Sequence, residues 1–198
     1  GNMKKITIDY QNFKNLIKTV KPAISKADTR PVLKFIKFEV DKSQIQAISC
    51  DGYMLQVATL EHGQIVDESF EFLLEPIKQF LDSTTLPYST IEIDCEENLK
   101  TKLTIQSYFT QTIVLTTPSV KDYLNWENVF PEVSEDLRIT FSASRLIQLL
   151  KTCLNNQGFV TFKFCKSDKG IDNVKATLIS HIDENIKKEY VLLPVRHF

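Results

Sequence analysis

The chain has 198 residues with a formal net charge of −1, and 42% of them are apolar while 25% are charged. This balance is that of a globular protein, and it excludes an overall electrostatic attraction to nucleic acid, so any DNA contact needs a local cluster of Lys and Arg. Five glycines argue against a glycine-rich phosphate loop, and no apolar run reaches the roughly 18 residues that span a bilayer, so we expect a cytoplasmic protein.

The sequence repeats one pattern of strands and a helix three times. The first repeat, residues 4–61, opens with the alternating strand Ile6-Thr7-Ile8. Apolar residues then recur at helical spacing, which is typical of a strand leading into a short amphipathic helix. These helix residues are Phe13, Leu16, Ile17 and Val20. A polar hinge at 21–31 precedes three predicted strands at 32–40, 45–49 and 54–60. Gly52, in the second turn between them, is free to adopt positive φ.

The second unit, residues 69–117, repeats this pattern. Phe70-Glu71-Phe72 leads into a predicted helix with its apolar face on Leu74, Ile77, Phe80 and Leu81. Strands follow at 90–95, 103–107 and 112–116. The next segment, 118–135, has no regular period and contains two prolines, so we predict an extended connector whose Trp126 and Phe130 pin it to a neighbouring sheet.

The third unit, residues 136–198, opens with a predicted strand over Arg138-Ile139-Thr140-Phe141. Its helix carries Leu146, Leu149, Leu150 and Cys153, and its strands fall at 159–165, 174–182 and 188–194. One such β-α-β-β-β unit cannot bury both its helix stripe and its sheet face, so the copies must pack side by side. The predicted class is α+β, with a two-unit domain at 4–117, a connector at 118–135 and a half domain at 136–198.

Four stretches resemble one family. Thr29-Arg30-Pro31-Val32-Leu33 and Ser49-Cys50-Asp51-Gly52-Tyr53-Met54-Leu55 resemble the middle domain of the bacterial sliding clamp, the DNA polymerase III beta subunit. The family reads Thr-Asp-Gly-x-Arg-Leu at the second stretch, where this chain has Cys50 and Met54 in place of Thr and Arg. The connector 122–131 and the ending 190–196 are similar to the family's, with His197 and Phe198 added.

The resemblance implies the DNA-clamp fold, bacterial, phage or mobile-element origin, and a non-catalytic role in DNA replication or repair. Clamp domains hold two units each and a subunit holds three domains. This chain would therefore correspond to the middle domain and the second half of the last one, without the parts that close the ring. The lone third unit leaves sheet edges and an apolar helix stripe uncovered, so we expect a homo-oligomer formed through the half domain.

In a clamp, the second turn and the C-terminal strand line a hydrophobic groove between two lobes that captures linear peptides of polymerase-type partners. The positions that match this groove are Leu33, Cys50, Gly52, Tyr53, Met54, Leu55, Pro131, Ser142, Arg145, Val191, Leu193, Pro194, Val195 and Arg196. An apolar pocket with a few polar groups suits such capture. For Leu33, Leu55, Val191 and Leu193, an ordinary place in the strand core is an equal alternative.

Contact with duplex DNA is the second expectation. Clamp helices line the central hole, and this chain carries Lys14, Lys18 and Lys21 at i, i+4 and i+7, beside the apolar stripe of the first helix, with Lys26 and Arg30 in the hinge. A contact with a DNA phosphate needs only a positively charged side chain that is long enough to reach it. A solvated basic flank is the alternative reading of the same residues. A clamp-derived DNA-binding or regulatory protein with a vestigial groove is the alternative function.

Catalytic chemistry has little support in the sequence. The histidines His62, His181 and His197 do not accompany a Ser or Cys in a nucleophile setting. The cysteines lie far apart, without a CxxC pair or a His at zinc-ligand spacing, which favours reduced, mostly buried thiols. They are Cys50, Cys95, Cys153 and Cys165. We expect no metal, no cofactor and no membrane partner.

Overall fold

A computed structural model describes residues 4–78, 80, 86–154, 158–183 and 185–196 of the chain. It divides into two compact units, Gly1–Phe130 and Pro131–Phe198. None of the helices among these residues is long and apolar enough to cross a membrane.

The elements below are those that the described residues of the first unit form in full. The elements are β1 (Lys5–Asp9), α1 (Tyr10–Val20), β2 (Ile36–Val40), β3 (Gln44–Cys50), β4 (Leu55–Glu61), β5 (Phe70–Leu74), β6 (Thr90–Glu96), β7 (Lys100–Gln106) and β8 (Thr110–Thr116). Short 3₁₀ turns occupy Lys21–Ala23, Pro31–Lys34, Val120–Asp122 and Trp126–Val129. The strands and α1 agree with the sequence prediction to within a few residues.

Two antiparallel sheets form this unit, in the orders β4-β3-β2-β5 and β1-β6-β7-β8. The leading strand of each repeat therefore pairs with the sheet of the other repeat. In one sheet Ile6 of β1 lies opposite Ile93 of β6, and in the other Phe72 of β5 lies opposite Phe38 of β2. This reciprocal exchange was not predicted from the sequence, and it ties the two repeats into one domain.

Helix α1 begins where Asp9 caps it, since the Asp9 carboxylate accepts a hydrogen bond of 2.9 Å from the backbone N–H of Asn12. Its apolar face packs into a core shared by both sheets, where Phe13 and Ile17 are fully buried. Of the second predicted helix, Leu74 belongs to β5 and Phe80 is buried in the same core. Leu81 lies outside the described residues.

A second core covers the opposite face of the β4-β3-β2-β5 sheet. It contains Leu33, Ile48, Leu73, Tyr123 and Trp126. The last two come from the segment after β8, so the predicted role of Trp126 in pinning this segment to a sheet is confirmed.

Hydrogen bonds fix these two aromatic side chains. The Tyr123 hydroxyl donates to the carbonyl of Ile48 at 3.3 Å, and Trp126 Nε1 donates to Glu39 Oε2 at 2.7 Å. Burial raises the pKa of Tyr123, so its hydroxyl keeps the proton that it donates. Phe130 packs edge-on against the Trp126 ring, with the centroids 5.4 Å apart.

In the part of the second unit that the structure describes, one helix and five strands are found. The elements are a 3₁₀ turn (Glu135–Leu137), α2 (Ala143–Lys151), β9 (Thr161–Lys163), β10 (Lys166–Ser167), β11 (Gly170–Ile171), β12 (Thr177–Asp183) and β13 (Ile186–Leu192). Strands β13-β12-β9 form one antiparallel sheet, and β10-β11 form a separate hairpin. The predicted leading strand over 138–141 is wrong, because this segment is not paired in any sheet.

The second unit buries little apolar surface. Among its described residues, the buried apolar side chains are Cys153, Ile179 and Leu192. The helix stripe at Leu146, Leu149 and Leu150 is only half-buried, whereas the corresponding stripe of α1 is fully covered. Among the described residues the first unit contains two repeats, whose sheets together close the core over α1, while the second unit contains one.

Candidate functional site

The β3–β4 turn of the first unit holds two large side chains in solvent. The Asp51 carboxylate accepts hydrogen bonds from the backbone N–H groups of Tyr53, at 2.8 Å, and Met54, at 2.7 Å. Gly52 has φ +94°, a conformation that glycine adopts without strain. The side chains of Tyr53 and Met54 are consequently 98% and 49% exposed.

The Asp51 carboxylate is also the electrostatic centre of this turn. The hydrogen bonds from the backbone N–H groups of Met54 and Tyr53 hold the pKa of Asp51 below its ordinary value. The carboxylate therefore stays charged at neutral pH and keeps the turn closed. The sequence analysis did not assign Asp51 to the site, although an Asp followed by Gly at a strand end is a known turn signal.

The other predicted groove residues of the first unit are less exposed. Leu33 and Cys50 are 3% and 7% exposed, and Leu55 is half-buried against the second core. The Leu33 side chain belongs to that core, which is the alternative given for it from the sequence. Among the predicted groove residues of this unit, Tyr53 and Met54 therefore supply the exposed apolar surface.

In the second unit, the end of β13 and the residues after it include exposed apolar side chains. Val191 and Leu193 are 71% and 63% exposed, Pro194 is half-buried, and Arg196 is exposed. Neither Val191 nor Leu193 is therefore a core residue of this unit. Pro131, at the start of the same unit, is exposed as well.

The tail of the second unit is held against the segment that precedes α2. The backbone N–H of Val195 donates to the carbonyl of Thr140 at 2.8 Å. Beside this bond lies a cavity of about 190 Å³, lined by Arg138, Ile139, Thr140, Asn173, Val174, Val195 and Arg196. Of this set, only Val195 and Arg196 were predicted as groove residues, because nothing in the local pattern links residues 138–140 to the end of the chain.

Ser142 and Arg145 lie at the beginning of α2. Ser142 is the N-cap of this helix, and its hydroxyl accepts from the backbone N–H of Arg145 at 3.4 Å. Its position thus has a structural explanation within the helix. The Arg145 side chain is exposed.

Four of the five predicted DNA-facing residues are exposed, namely Lys18, Lys21, Lys26 and Arg30. Lys14 is not, because it is 2% exposed and its Nζ lies 5.2 Å from the centre of the Tyr10 ring. Burial, with the nearby charge of Lys18, lowers the pKa of Lys14. The prediction that Lys14 lies outside the apolar stripe is wrong: it stands one turn after buried Tyr10 and one before Ile17, so the stripe includes it.

In the described part of the chain, no cluster of His, Cys, Asp and Glu side chains is arranged to hold a metal ion. His62 bonds through Nε2 to the carbonyl of Asp41 at 2.8 Å. His181 lies on β12, buried, with Nδ1 bonded to the carbonyl of Phe159. His197 lies outside the described residues. Both described histidines thus have structural partners.

The comparison with protein families decides the assignment. The model of the DNA polymerase III beta subunit, central domain, matches residues 7–117. The chain belongs to the DNA polymerase III beta subunit family. The matched range contains the Asp51 turn and all strands of the first unit except the first two residues of β1. No curated protein matches the chain.

Solved structures of this family have the same fold. A DNA polymerase sliding clamp from Pseudomonas aeruginosa superposes with a TM-score of 0.77 at 14% identity, over 96% of this chain and 50% of that one. A protein described as a DNA polymerase III beta subunit from Eubacterium rectale gives 0.76 at 11%, over 98% and 51%. The sliding clamp from Bacillus subtilis gives 0.67 at 17%, over 98% and 50%. The predicted clamp fold is confirmed, and the chain spans about half the length of these relatives.

Proposed function

We propose that this beta-subunit relative is a non-catalytic docking protein of DNA replication or repair, which captures linear peptides of polymerase-type partners. The observation that carries the proposal is the Asp51 turn, which holds Tyr53 and Met54 in solvent on a fixed backbone. A rigid aromatic side chain loses little conformational entropy when it contacts a peptide, so it is a suitable anchor. The superposed proteins are called DNA polymerase sliding clamps, which supports a role in replication.

The second unit supports the proposal independently. Its tail offers exposed Val191 and Leu193, and the cavity beside Val195 has room for a small apolar side chain. The exposed Arg196 guanidinium, at the edge of this cavity, suits an acidic group on the peptide. An apolar surface with one charged group is the composition expected of a peptide-binding site.

The proposal is tested by titrating the full chain against a fluorescent peptide that carries a clamp-binding motif. We expect a dissociation constant in the micromolar range, which is about −8 kcal/mol. Tyr53→Ala should weaken binding by about tenfold, since an aromatic anchor at an interface contributes about 1–2 kcal/mol or more. Pro194→Ala should weaken binding by a similar factor.

Tyr108 provides the matched control, because it is 84% exposed and lies between β7 and β8. Tyr108→Ala should leave the peptide affinity unchanged. Absence of peptide binding, or an equal loss in the Tyr53 and Tyr108 variants, would contradict the docking proposal. In that case the vestigial groove of a DNA-binding or regulatory protein becomes the better description.

Contact with duplex DNA is the second candidate function, and the exposure of Lys18, Lys21, Lys26 and Arg30 favours it. Each lost phosphate contact should lower the slope of log affinity against log salt by about 0.9. Lys18→Ala is therefore expected to reduce this slope, while Lys42→Ala, an exposed lysine of the β2–β3 turn, should not. Equal slopes in all variants would exclude the basic flank as the contact.

We also propose that the chain forms a homo-oligomer through the second unit, because the stripe of α2 is only half-buried and Val191 and Leu193 are exposed there. The proposed role needs no cofactor, and partners in replication or repair place it in the cytoplasm. Self-association is measured by sedimentation of the full chain over a range of concentrations. A monomer at every concentration would contradict it.

A further inference from the structure

Two leading segments of this chain share one pattern before a helix cap: a basic residue, Ile, Thr, an apolar residue and the cap. Lys5-Ile6-Thr7-Ile8-Asp9 precedes α1, and Arg138-Ile139-Thr140-Phe141-Ser142 precedes α2. The cap residues work identically, since each side chain accepts from the backbone N–H three residues further on. Residue for residue, 138–142 therefore corresponds to 5–9.

The two segments nevertheless have different structures. Residues 5–9 form β1, which pairs along its whole length with β6 of the other repeat. Residues 138–141 form no strand, and β9, which occupies the place of β6, pairs only with β12 among the described residues. The second unit thus contains a leading segment and a sheet edge that correspond to the paired strands β1 and β6. In the second unit these two segments do not pair with each other.

The side chains on the core face of β9 are also incompletely buried. Ile91 and Ile93 of β6 are fully buried, whereas Val160 and Phe162 in the β9 segment are half-buried and Phe164 is 42% exposed. In the first unit, the leading strand and the packed side chains of the other repeat close this face. In the second unit nothing described takes their place.

The register of the missing pair follows from the first unit. Leu103 of β7 and Ile179 of β12 are both fully buried, and a buried threonine precedes each by two residues. Leu103 lies opposite Ile93, and Ile179 lies opposite Phe162. Phe162 therefore corresponds to Ile93, which is the residue opposite Ile6 in β1.

We propose that two copies of this chain exchange their leading segments, so that residues 139–141 of each copy pair antiparallel with residues 160–162 of the other. Ile139 then lies opposite Phe162, Thr140 opposite Thr161, and Phe141 opposite Val160. The proposal rests on the self-association proposed above and gives it a specific geometry. It rebuilds, from two half domains, the arrangement that the first unit makes within one chain.

A second copy, rather than another protein, is the occupant that the first unit indicates. The exchange there is reciprocal, so each repeat both gives and receives a strand. Two identical half domains satisfy both needs at once about a two-fold axis. The bond between Val195 and Thr140 does not prevent this, because a leading strand uses only one edge for the exchange, as β1 does.

Site-directed cross-linking of the full chain tests the exchange. The variant Thr140→Cys/Thr161→Cys is made with Cys165→Ser, because Cys165 is the exposed native thiol among the described cysteines. Residues opposite each other in an antiparallel pair have Cβ atoms about 4.5–5.5 Å apart, so mild oxidation or a short thiol reagent should join them. We expect a covalent product of twice the chain mass on a non-reducing gel.

The control is Thr140→Cys/Lys187→Cys in the same background, since β13 lies at the other edge of the sheet from β9 and the Lys187 side chain is exposed. It should give at least tenfold less covalent dimer. The register also places Arg138 opposite Lys163, so the dimer fraction should rise with salt, as screening weakens their repulsion.

Three results are informative. A dimer with in-register cross-links supports the exchange. A dimer in which Thr140 and Thr161 do not join, or join no better than the control pair, overturns the exchange while self-association stands. A monomer at all concentrations overturns both. Peptide binding is judged separately, through Tyr53→Ala, which lies in the first unit and leaves these segments unaltered.

Discussion

Replacing Trp126 by Phe tests what attaches the segment after β8 to the first unit. Trp126 is the chain's single tryptophan, and it is 8% exposed in the second core. Its Nε1–H donates to the Glu39 carboxylate at 2.7 Å, and that carboxylate also lies 3.4 Å from the Lys37 ammonium. The change to Phe removes the donor while an aromatic ring remains in place.

The expected loss follows from this geometry. A hydrogen bond to a charged group contributes about 1.5–3 kcal/mol to stability when its loss leaves the charge unpaired. The Glu39 side chain is 20% exposed and keeps Lys37 as a partner, so water and the ammonium replace part of the bond. We therefore expect Trp126→Phe to cost about 1–2 kcal/mol, while Trp126→Ala, which also empties the ring site, should cost about 3–5 kcal/mol.

Urea unfolding followed by far-UV circular dichroism gives the stability of each variant, and hydrogen exchange of peptides from 118–130 reports the segment locally. A double-mutant cycle with Glu39→Gln isolates the pair, and we expect a coupling of about 1 kcal/mol. Phe130→Leu is the control, because this exposed ring contacts Trp126 without a hydrogen bond. A cost below about 0.5 kcal/mol for Trp126→Phe, with no coupling to Glu39, would refute the reasoning.

Two further predictions concern the Asp51 turn. Gly52→Ala should lower the free energy of unfolding by about 1 kcal/mol, because Ala is strained at φ +94° although no atom lies within 4 Å of the added Cβ. Gly63→Ala, where there is neither strain nor contact, is the control, and an equal urea midpoint for both variants would disprove the strain. The lowered pKa of Asp51 means that its stabilisation is complete above about pH 4, the unfolded value, and is lost as pH falls through the folded value. Asp51→Asn should remove this part of the acid sensitivity, and a parent and variant whose stabilities fall in parallel with pH would count against it.

Local features of the fold could be predicted from the sequence. The change from alternating to helical spacing located α1 and α2, and the Asp51-Gly52 pair located a turn that needs positive φ. Lys14 shows the limit of such patterns, because a long side chain at the edge of an apolar stripe lies in or out depending on its neighbours. Here the Tyr10 ring covers it.

Strand partners could not be predicted, because alternation specifies which face of a strand is buried and not which strand lies beside it. Arg138-Ile139-Thr140-Phe141 alternates as well as Lys5-Ile6-Thr7-Ile8 does, yet only the latter is a strand in the single chain. The cavity beside the tail was missed for the same reason, since Val195 meets Thr140 across more than fifty residues of sequence. Contacts of this range depend on topology, which the local pattern does not contain.

The two units therefore differ in what they need in order to fold. The first encloses a core built from both of its repeats, so its stability should be independent of protein concentration. The second leaves the helix stripe and β9 half-covered, and a shared core between two copies would make its stability rise with concentration by mass action. If the exchanged dimer forms, the turn that carries Tyr53 stays unaltered in each copy, because the Asp51 hydrogen bonds that hold it lie wholly within the first unit. The contribution of Tyr53 to docking would then be separable from assembly, because the two depend on residues of different units.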